Sequence, residues 1–374
     1  MLKVSRSSID TYRECPRKGF LNYNYGGTGF VPIGFKEPLY IGSVVHGGIE
    51  RLLKEIQQFR TWDRDLRNEC FQKALSAEQT SALDFVPPET LDQANALAEG
   101  LFRSWTLIRL PDIVENYDII CVEEERDVPL SGLVTFMSRL DTVVRRKFDK
   151  NYFVLEFKTT SDLSSNYVES WAYDMQGISH IKALQSYFNT ERAGVLYEHL
   201  YKGRKYKGVT NSPLAIAYQK EEKDGFNLDW EPRRQKGWKK KKVWELAEDF
   251  GCTYSPIEHW VEELLPTIVL RDQIANVPIL HSQKTIQEWE QTIVVEAEHR
   301  AIGLEKLAAA TTKEEKENII TKYFPAYKGR TCYKSRYNSS CVYFDVCFGA
   351  IQRKDMLNVG RYERRNPHHP QEFE

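Results

Sequence analysis

No apolar run in this chain of 374 residues approaches the roughly 20 residues that a membrane-spanning helix needs. The opening stretch, MLKVSRSSIDTYREC, lacks the apolar core of a secretory signal, so the expected location is a cytoplasm, with no membrane contact. No Gly-x-x-x-x-Gly-Lys-Ser/Thr loop occurs, which excludes a P-loop motor within the chain. Cysteine is scarce and odd in number, seven in all, with no regular disulfide spacing. In a reducing compartment, clustered cysteines more often mean metal than disulfides. Net charge is −1, so the total gives no argument for nucleic-acid binding.

What the chain does contain is enough apolar material for a real core. Hydrophobic residues make up 41%, and the length suits one large or two ordinary domains. Charge is uneven along it. Residues 201–242 hold 13 Lys and Arg against 5 acids, and residues 328–365 hold 9 against 3. Basic surface of this kind is compatible with a phosphate backbone, although a single charge run is most often a solvated face.

The most informative stretch is Leu133 to Ser161, LVTFMSRLDTVVRRKFDKNYFVLEFKTTS. It reads as two strands joined by a short polar tip. Side chains alternate faces along a strand, so Phe153, Leu155 and Phe157 point one way and Glu156 and Lys158 the other. With the tip at Lys147 to Lys150, Asp141 falls opposite Glu156, and Asp141, Glu156 and Lys158 share a face. Two carboxylates and an amine there suit a hard divalent cation and a water.

Elsewhere the pattern alternates between helix and strand. Ser7 or Ser8 can cap a short helix that Cys15-Pro16 interrupts. A helix is expected to open after Gly42 and Ser43, with Val44, Val45, Ile49, Leu52, Leu53 and Ile56 as its stripe and His46 in its first turn. Alone, such a histidine is more often structural than a ligand. Gly47 and Gly48 would let another segment approach closely. Residues 63–115 read as helical cover, broken at Val86-Pro87-Pro88-Glu89. A strand begins near Tyr117, and a helix over residues 164–186 places Gln176 and His180 on one face. Strands follow at 193–201 and 213–219. Strand, hairpin, crossing helix and strand make an α/β arrangement. Residues 220–256 interleave Trp230, Trp238 and Trp244 with Arg233, Arg234 and Lys239 to Lys242. Such a segment is either a stacking platform for single-stranded nucleic acid or a surface loop with buried tryptophans. Residues 256–320 are expected to return to helix. Cys332, Cys341 and Cys347 then fall within 16 residues, and Cys15, also flanked by Pro, Arg and aromatics, is the best fourth ligand for a tetrathiolate zinc or iron–sulfur site.

Taken in order, these pieces resemble the PD-(D/E)XK nuclease superfamily. They are a Cys-Pro-Arg-Lys helix, Gly-x-x-x-His, an Asp on a strand, Glu-x-Lys on the next, a Gln-bearing helix and three late cysteines. The resemblance is nearest to the RecB-like branch that carries an iron–sulfur cluster, which includes AddB-type subunits, CRISPR-adaptation nucleases and phage exonucleases. It implies a restriction-endonuclease-like α/β core, a mixed central sheet flanked by helices, with a helical insertion and a C-terminal helical, cysteine-bearing segment. By that resemblance His46, Asp141 and Glu156 would hold Mg²⁺ or Mn²⁺, while Asp141, Glu156, Lys158 and Gln176 would be catalytic. Cys15, Cys332, Cys341 and Cys347 would hold a [4Fe-4S] cluster, with structural Zn²⁺ as the alternative. His180 departs from the family's tyrosine. Eight residues separate Cys332 from Cys341, where many relatives have two, and only the five between Cys341 and Cys347 fit the common spacing.

The implied domain covers residues 1–350. Motif helices would occupy 1–60, the insertion 61–116, the catalytic sheet 117–220, basic loop and helices 221–325 and the Cys cluster 326–350, with a mobile basic tail over 351–374. The implied function is a metal-dependent DNA nuclease, an exonuclease on single-stranded ends in recombination, repair or CRISPR adaptation of a bacterial or phage-infected cell, with a possible helicase or recombination partner. The alternative is a non-catalytic DNA-binding or adaptor subunit that keeps the fold. Arg233, Arg234, Trp238, Lys239 and Lys240 are the candidate nucleic-acid contacts.

Overall fold

A computed structural model describes residues 2–202, 205–206, 209–210, 274–327, 329, 332 and 340–366. The strand expected at 213–219, the basic Trp-rich segment with Arg233, Arg234, Trp238, Lys239 and Lys240, the helix begun at 256 and the last residues of the tail lie outside the described residues. The chain divides into two compact units. One comprises Met1–Gly34, Glu125–Arg139 and His281–Glu374, the other Phe35–Glu124 and Leu140–Leu280.

The elements run in order β1 (Leu2–Ser5), α1 (Arg6–Glu14), α2 (Pro16–Tyr23), β2 (Phe30–Pro32), α3 (Glu37–Phe59), α4 (Arg64–Ala82), α5 (Pro88–Ile108), α6 (Leu110–Asn116), β3 (Tyr117–Pro129), β4 (Val134–Arg146), β5 (Tyr152–Thr160), α7 (Ser165–Ser170), α8 (Met175–Phe188) and β6 (Ala193–Tyr201). The short β7 (Lys205–Tyr206) and β8 (Val209–Thr210) follow, then β9 (Ile274–Ile279), α9 (Gln283–Ala309), α10 (Lys313–Tyr323), α11 (Phe344–Cys347) and β10 (Tyr362–Arg364).

In the second unit the sheet is mixed. β4 pairs antiparallel with β5, β5 parallel with β6, and β6 antiparallel with β9. Parallel neighbours need a crossover connection, and α7 and α8 supply it. On one face Phe153, Leu155 and Phe157 pack into a core with Val44, Val45, Ile49, Leu52, Leu53 and Ile56 of α3 and with Leu101, Phe102 and Trp105 of α5. The apolar stripes read from the sequence are therefore the buried ones. Gly48 has a packing reason: a Cβ there would stand 3.1 Å from Phe102, so the glycine lets α5 lie close to α3. On the other face α8 packs on β5 and β6 through Ile178, Ile181 and Leu184.

The first unit joins the chain's beginning to its later segments. β1 runs parallel to the first residues of β4, Leu2↔Val134 to Ser5↔Met137. Ser5, rather than Ser7 or Ser8, caps α1, and Ser8 completes a capping box. Cys15 then turns to an extended backbone, because Pro16 cannot continue the helix and starts α2 at its first turn. Phe20 of α2 stacks on Phe324 at 4.6 Å between ring centres. Tyr343 is fully buried, and its hydroxyl lies 2.8 Å from Asn22 Oδ1 and within hydrogen-bond reach of the Phe30 carbonyl, one of which takes its single proton.

Three further expectations are corrected. α3 opens at Glu37 instead of after Gly42, because Pro38 lies in its first turn, where its missing N–H is no loss. His46 therefore lies well inside the helix. The segment 164–186 is interrupted by a 3₁₀ turn at Trp171–Tyr173, after which Asp174 caps α8 afresh. Residues 256–320 are not all helix, since Ile274–Ile279 forms β9 on the edge of β6.

Candidate active site

The hairpin register places the central carboxylates. The β4–β5 ladder pairs Thr142 with Leu155 and Arg145 with Tyr152. Continued one step beyond the paired residues, the same register sets Asp141 opposite Glu156. The tip residues Lys147 to Lys150 are closed by Arg146, whose N–H donates to the Asn151 carbonyl at 2.9 Å. Asp141 Oδ2 accepts the Phe157 backbone N–H at 3.1 Å and lies 3.8 Å from His46 Nδ1. His46, on α3, packs edge-on against Phe157 with 5.9 Å between ring centres. The elements that build the core thus aim the histidine at the aspartate.

Glu156 is held more firmly. Lys158 Nζ donates to its Oε1 at 2.5 Å, Gln176 Nε2 donates to the same oxygen at 2.6 Å, and His180 Nε2 lies 3.0 Å from Oε2. Gln176 Oε1 in turn accepts from Lys158 at 2.9 Å. Gln176 is fixed at the start of α8, where its backbone N–H donates to the Asp174 cap at 2.8 Å. His180 follows one turn later on the same face. Lys158 also lies 5.2 Å above the ring of Trp171. Glu156 keeps only 2% of its side chain exposed, against 17% for Asp141, 19% for Lys158 and 31% for His46. A ligand can reach the last three directly.

The two carboxylates differ electrostatically. Burial would raise Glu156, but the charges and hydrogen bonds of Lys158 and His180 outweigh it and hold Glu156 below the usual carboxylate range. Asp141 is raised, first by burial and then by the negative charge of Glu156, which together exceed the help from Lys158. The site is thus short of positive charge on the Asp141 side. Two carboxylates with an imidazole beside them are the donors that a hard or borderline divalent cation takes. Among the described residues, no group of three or more His, Cys, Asp or Glu is placed to hold a metal ion. Both Glu156 oxygens already have protein partners.

His180 and Trp171 were not among the site residues expected from the sequence. His180 carried a signal, its four-residue spacing from Gln176, and the geometry gives that spacing its meaning: both side chains reach Glu156. Trp171 carried none. His199 pairs with Lys158 across β5 and β6, is fully buried against Trp171 and Tyr197, and is pushed down to about 4 by burial and then by Lys158.

The four cysteines form a second cluster in the other unit. Cys15, Cys332, Cys341 and Cys347 are all free and all line one small cavity, of about 20 Å³. The Cys341 N–H donates to the Cys332 carbonyl at 2.8 Å. Cys347 is pushed up to about 11, mainly by burial, with its neighbours Cys341, Cys15 and Cys332 adding to the rise against Arg17.

Comparison with curated proteins finds no match. The family model of the PD-(D/E)XK nuclease superfamily matches residues 3–348, nearly the whole chain. With its mixed sheet and flanking helices, the chain belongs to the PD-(D/E)XK nuclease superfamily, whose members are typically metal-dependent nucleases that cleave phosphodiester bonds.

Proposed function

We propose that the chain is a Mg²⁺- or Mn²⁺-dependent deoxyribonuclease, acting as an exonuclease on single-stranded DNA ends. Its setting would be recombination, repair or CRISPR adaptation in the cytoplasm of a bacterial or phage-infected cell, with a helicase or recombination protein as partner. The observation that carries the reading is Glu156, a buried carboxylate fixed by Lys158, Gln176 and His180 and near enough to Asp141 for its charge to act there. A scaffold that only binds DNA has no use for such a costly arrangement.

Asp141 and Glu156 would hold the cation, with His46 as the donor that favours Mn²⁺ over Mg²⁺. When bound, the cation lowers the pKa of water and neutralises charge on the scissile phosphate. Lys158, pinned between Glu156 and Gln176, would donate to the attacking water or to a phosphate oxygen as negative charge develops there. Gln176 would keep the ammonium from swinging away, and His180 would keep Glu156 from rotating. Together these side chains would support in-line hydrolysis.

In the other unit, the four thiols around one cavity would hold a structural [4Fe-4S] cluster that ties Cys15 to the late segment. The second reading is a single structural Zn²⁺ on the same four thiols. Anaerobic purification with metal analysis separates the two: a brown protein containing iron supports the cluster, a colourless one containing zinc excludes it.

The test of the activity is cleavage of end-labelled single- and double-stranded DNA, linear and circular, with Mg²⁺ and with Mn²⁺. Alanine at Asp141 or Glu156 should abolish it, and alanine at Lys158 should lower it by about 10²–10³. Full activity in all three variants would sink the proposal.

A further inference from the structure

A second concave site lies wholly within the first unit. It is a cavity of about 730 Å³ between α2, α10 and the turn around Arg353, well within the range that binds substantial ligands. Five cations line it, Arg17, Lys313, Lys316, Arg353 and Lys354, against a single carboxylate, Glu317. Arg353 pairs with Glu317 through Nη2, yet its Nη1 is buried and has no hydrogen-bond partner. A buried guanidinium N–H left unsatisfied is costly, and each such group asks for an explanation. Arg17 directs Nε to the Phe324 carbonyl at 2.7 Å, which fixes its charge at the cavity wall. Arg17 and Arg353 lie near enough that each opposes the other's charge, with Arg17 lowered by burial first and by Arg353 next. Two guanidiniums and three lysines around one acid leave a strong local excess of positive charge, which an anion would relieve.

The cavity also has an apolar floor that includes Phe20, Leu21 and Ile320, and Tyr25 lines the same wall. Cations beside an aromatic ring are the elements that bind single-stranded nucleic acid, where phosphates meet charge and bases meet π-faces. The volume is far larger than one phosphate requires, and the cations come from three separate segments. We propose that this cavity binds the phosphodiester backbone of a single nucleic-acid strand, with Lys313, Lys316 and Lys354 on the phosphates and the guanidiniums of Arg17 and Arg353 adding to the positive charge of the wall. The choice of a strand over a small phosphate ester rests on the nuclease reading above. The cavity shares no residue with the Asp141–Glu156 centre, and of the motif residues Arg17 and Cys347 line it.

The test uses the full chain carrying Asp141→Asn, in chelator so that no strand is consumed. Anisotropy of a labelled single-stranded 20-mer is followed from low to high salt. Lys313, Lys316 and Lys354 are all exposed, so their triple reversal to Glu leaves the core intact, and thermal melting checks this. The expected result is at least a tenfold weaker Kd and a salt slope reduced by about 2, since each lost phosphate contact on a single strand removes about 0.7. Arg353→Gln, which cannot supply a guanidinium, should weaken binding by a smaller factor. Unchanged Kd and slope in the triple variant would overturn the proposal. So would micromolar binding of a nucleoside monophosphate or inorganic phosphate that the triple variant loses while its DNA affinity stays intact, because the site would then serve small phosphates. Cleavage by the unmodified chain with Mn²⁺ is measured in parallel. Cavity-dependent binding without cleavage refutes the nuclease reading and leaves the cavity standing; cleavage with cavity-independent binding does the reverse.

Discussion

Asp141→Asn should make the metal-free protein more stable while destroying its activity. Asp141 accepts one backbone N–H and faces the committed negative charge of Glu156. Its folded pKa is raised, so the folded state favours the protonated form. At neutral pH the ionised carboxylate therefore costs stability. An asparagine keeps the shape and an oxygen for the Phe157 N–H while removing the charge. A buried, uncompensated charged group costs at least about 1–3 kcal/mol, and that is the expected gain. For a folding unit of about 150–250 residues it is a melting shift of roughly 2–4 °C per kcal/mol. The pH dependence fixes the sign. For an acid whose folded pKa is raised, stability is highest below the unfolded value and falls as pH climbs from there through the folded value. The wild-type protein in chelator should show that fall, and Asp141→Asn should lack it. Saturating Mn²⁺ should reverse the order. A ligand at about 100 times its Kd stabilises by about 2.7 kcal/mol, and the variant would lose most of that. The assay is urea or thermal unfolding across pH, with chelator and with Mn²⁺. Equal stability in chelator, or equal stabilisation of both proteins by Mn²⁺, would refute the reasoning.

Three further outcomes follow from single contacts. His180→Ala removes the partner of Glu156 Oε2 and should lower apparent metal affinity about 10–100-fold, with His180→Gln restoring part of it, read from the Mn²⁺ dependence of cleavage. Lys158→Ala should lower kcat by about 10²–10³ with little change in KM, since its charge is needed as negative charge develops; a change in KM alone would contradict that role. Glu198→Ala in β6 should cost about 3–5 kcal/mol in urea unfolding, because Glu198 is fully buried, takes a two-pronged contact from Arg109 at 2.9–3.2 Å, and accepts from Asn276 at 2.6 Å.

The hairpin was legible because a strand has a period of two and the tip has a fixed length. Those two facts alone set Asp141 against Glu156, and the ladder from Arg145–Tyr152 to Thr142–Leu155 runs in the register that this pairing requires. The helix α3 was legible because it carries an apolar stripe that the core buries. β9 was not legible. Its residues, IANVPI, do not alternate and include Pro278, so nothing local marks a strand; pairing with the edge of β6 decides it. β1 is four residues and pairs with a strand far along the sequence. The glycines at 42, 47 and 48 are poor helix formers and hide the true start of α3, which Pro38 marks by fitting the first turn. The cation-lined cavity was invisible for another reason: Arg17, Lys313 and Arg353 share no pattern and meet only in the folded unit.

The sequence motif makes Asp141 and Glu156 look equivalent, and the structure makes them unlike. Glu156 has three side-chain partners, two of them able to carry positive charge, and stays ionised without help. Asp141 has a single backbone donor here and a histidine 3.8 Å away. One carboxylate is settled by the protein itself. The other is short of positive charge, which is where the proposed cation would act, and it is also the more exposed of the two. A purely structural pair would not be divided this way, because folding alone gains nothing by leaving a buried acid short of charge. The asymmetry places the cost of the site on Asp141, so the metal-free stability of Asp141→Asn reads out function without any substrate present.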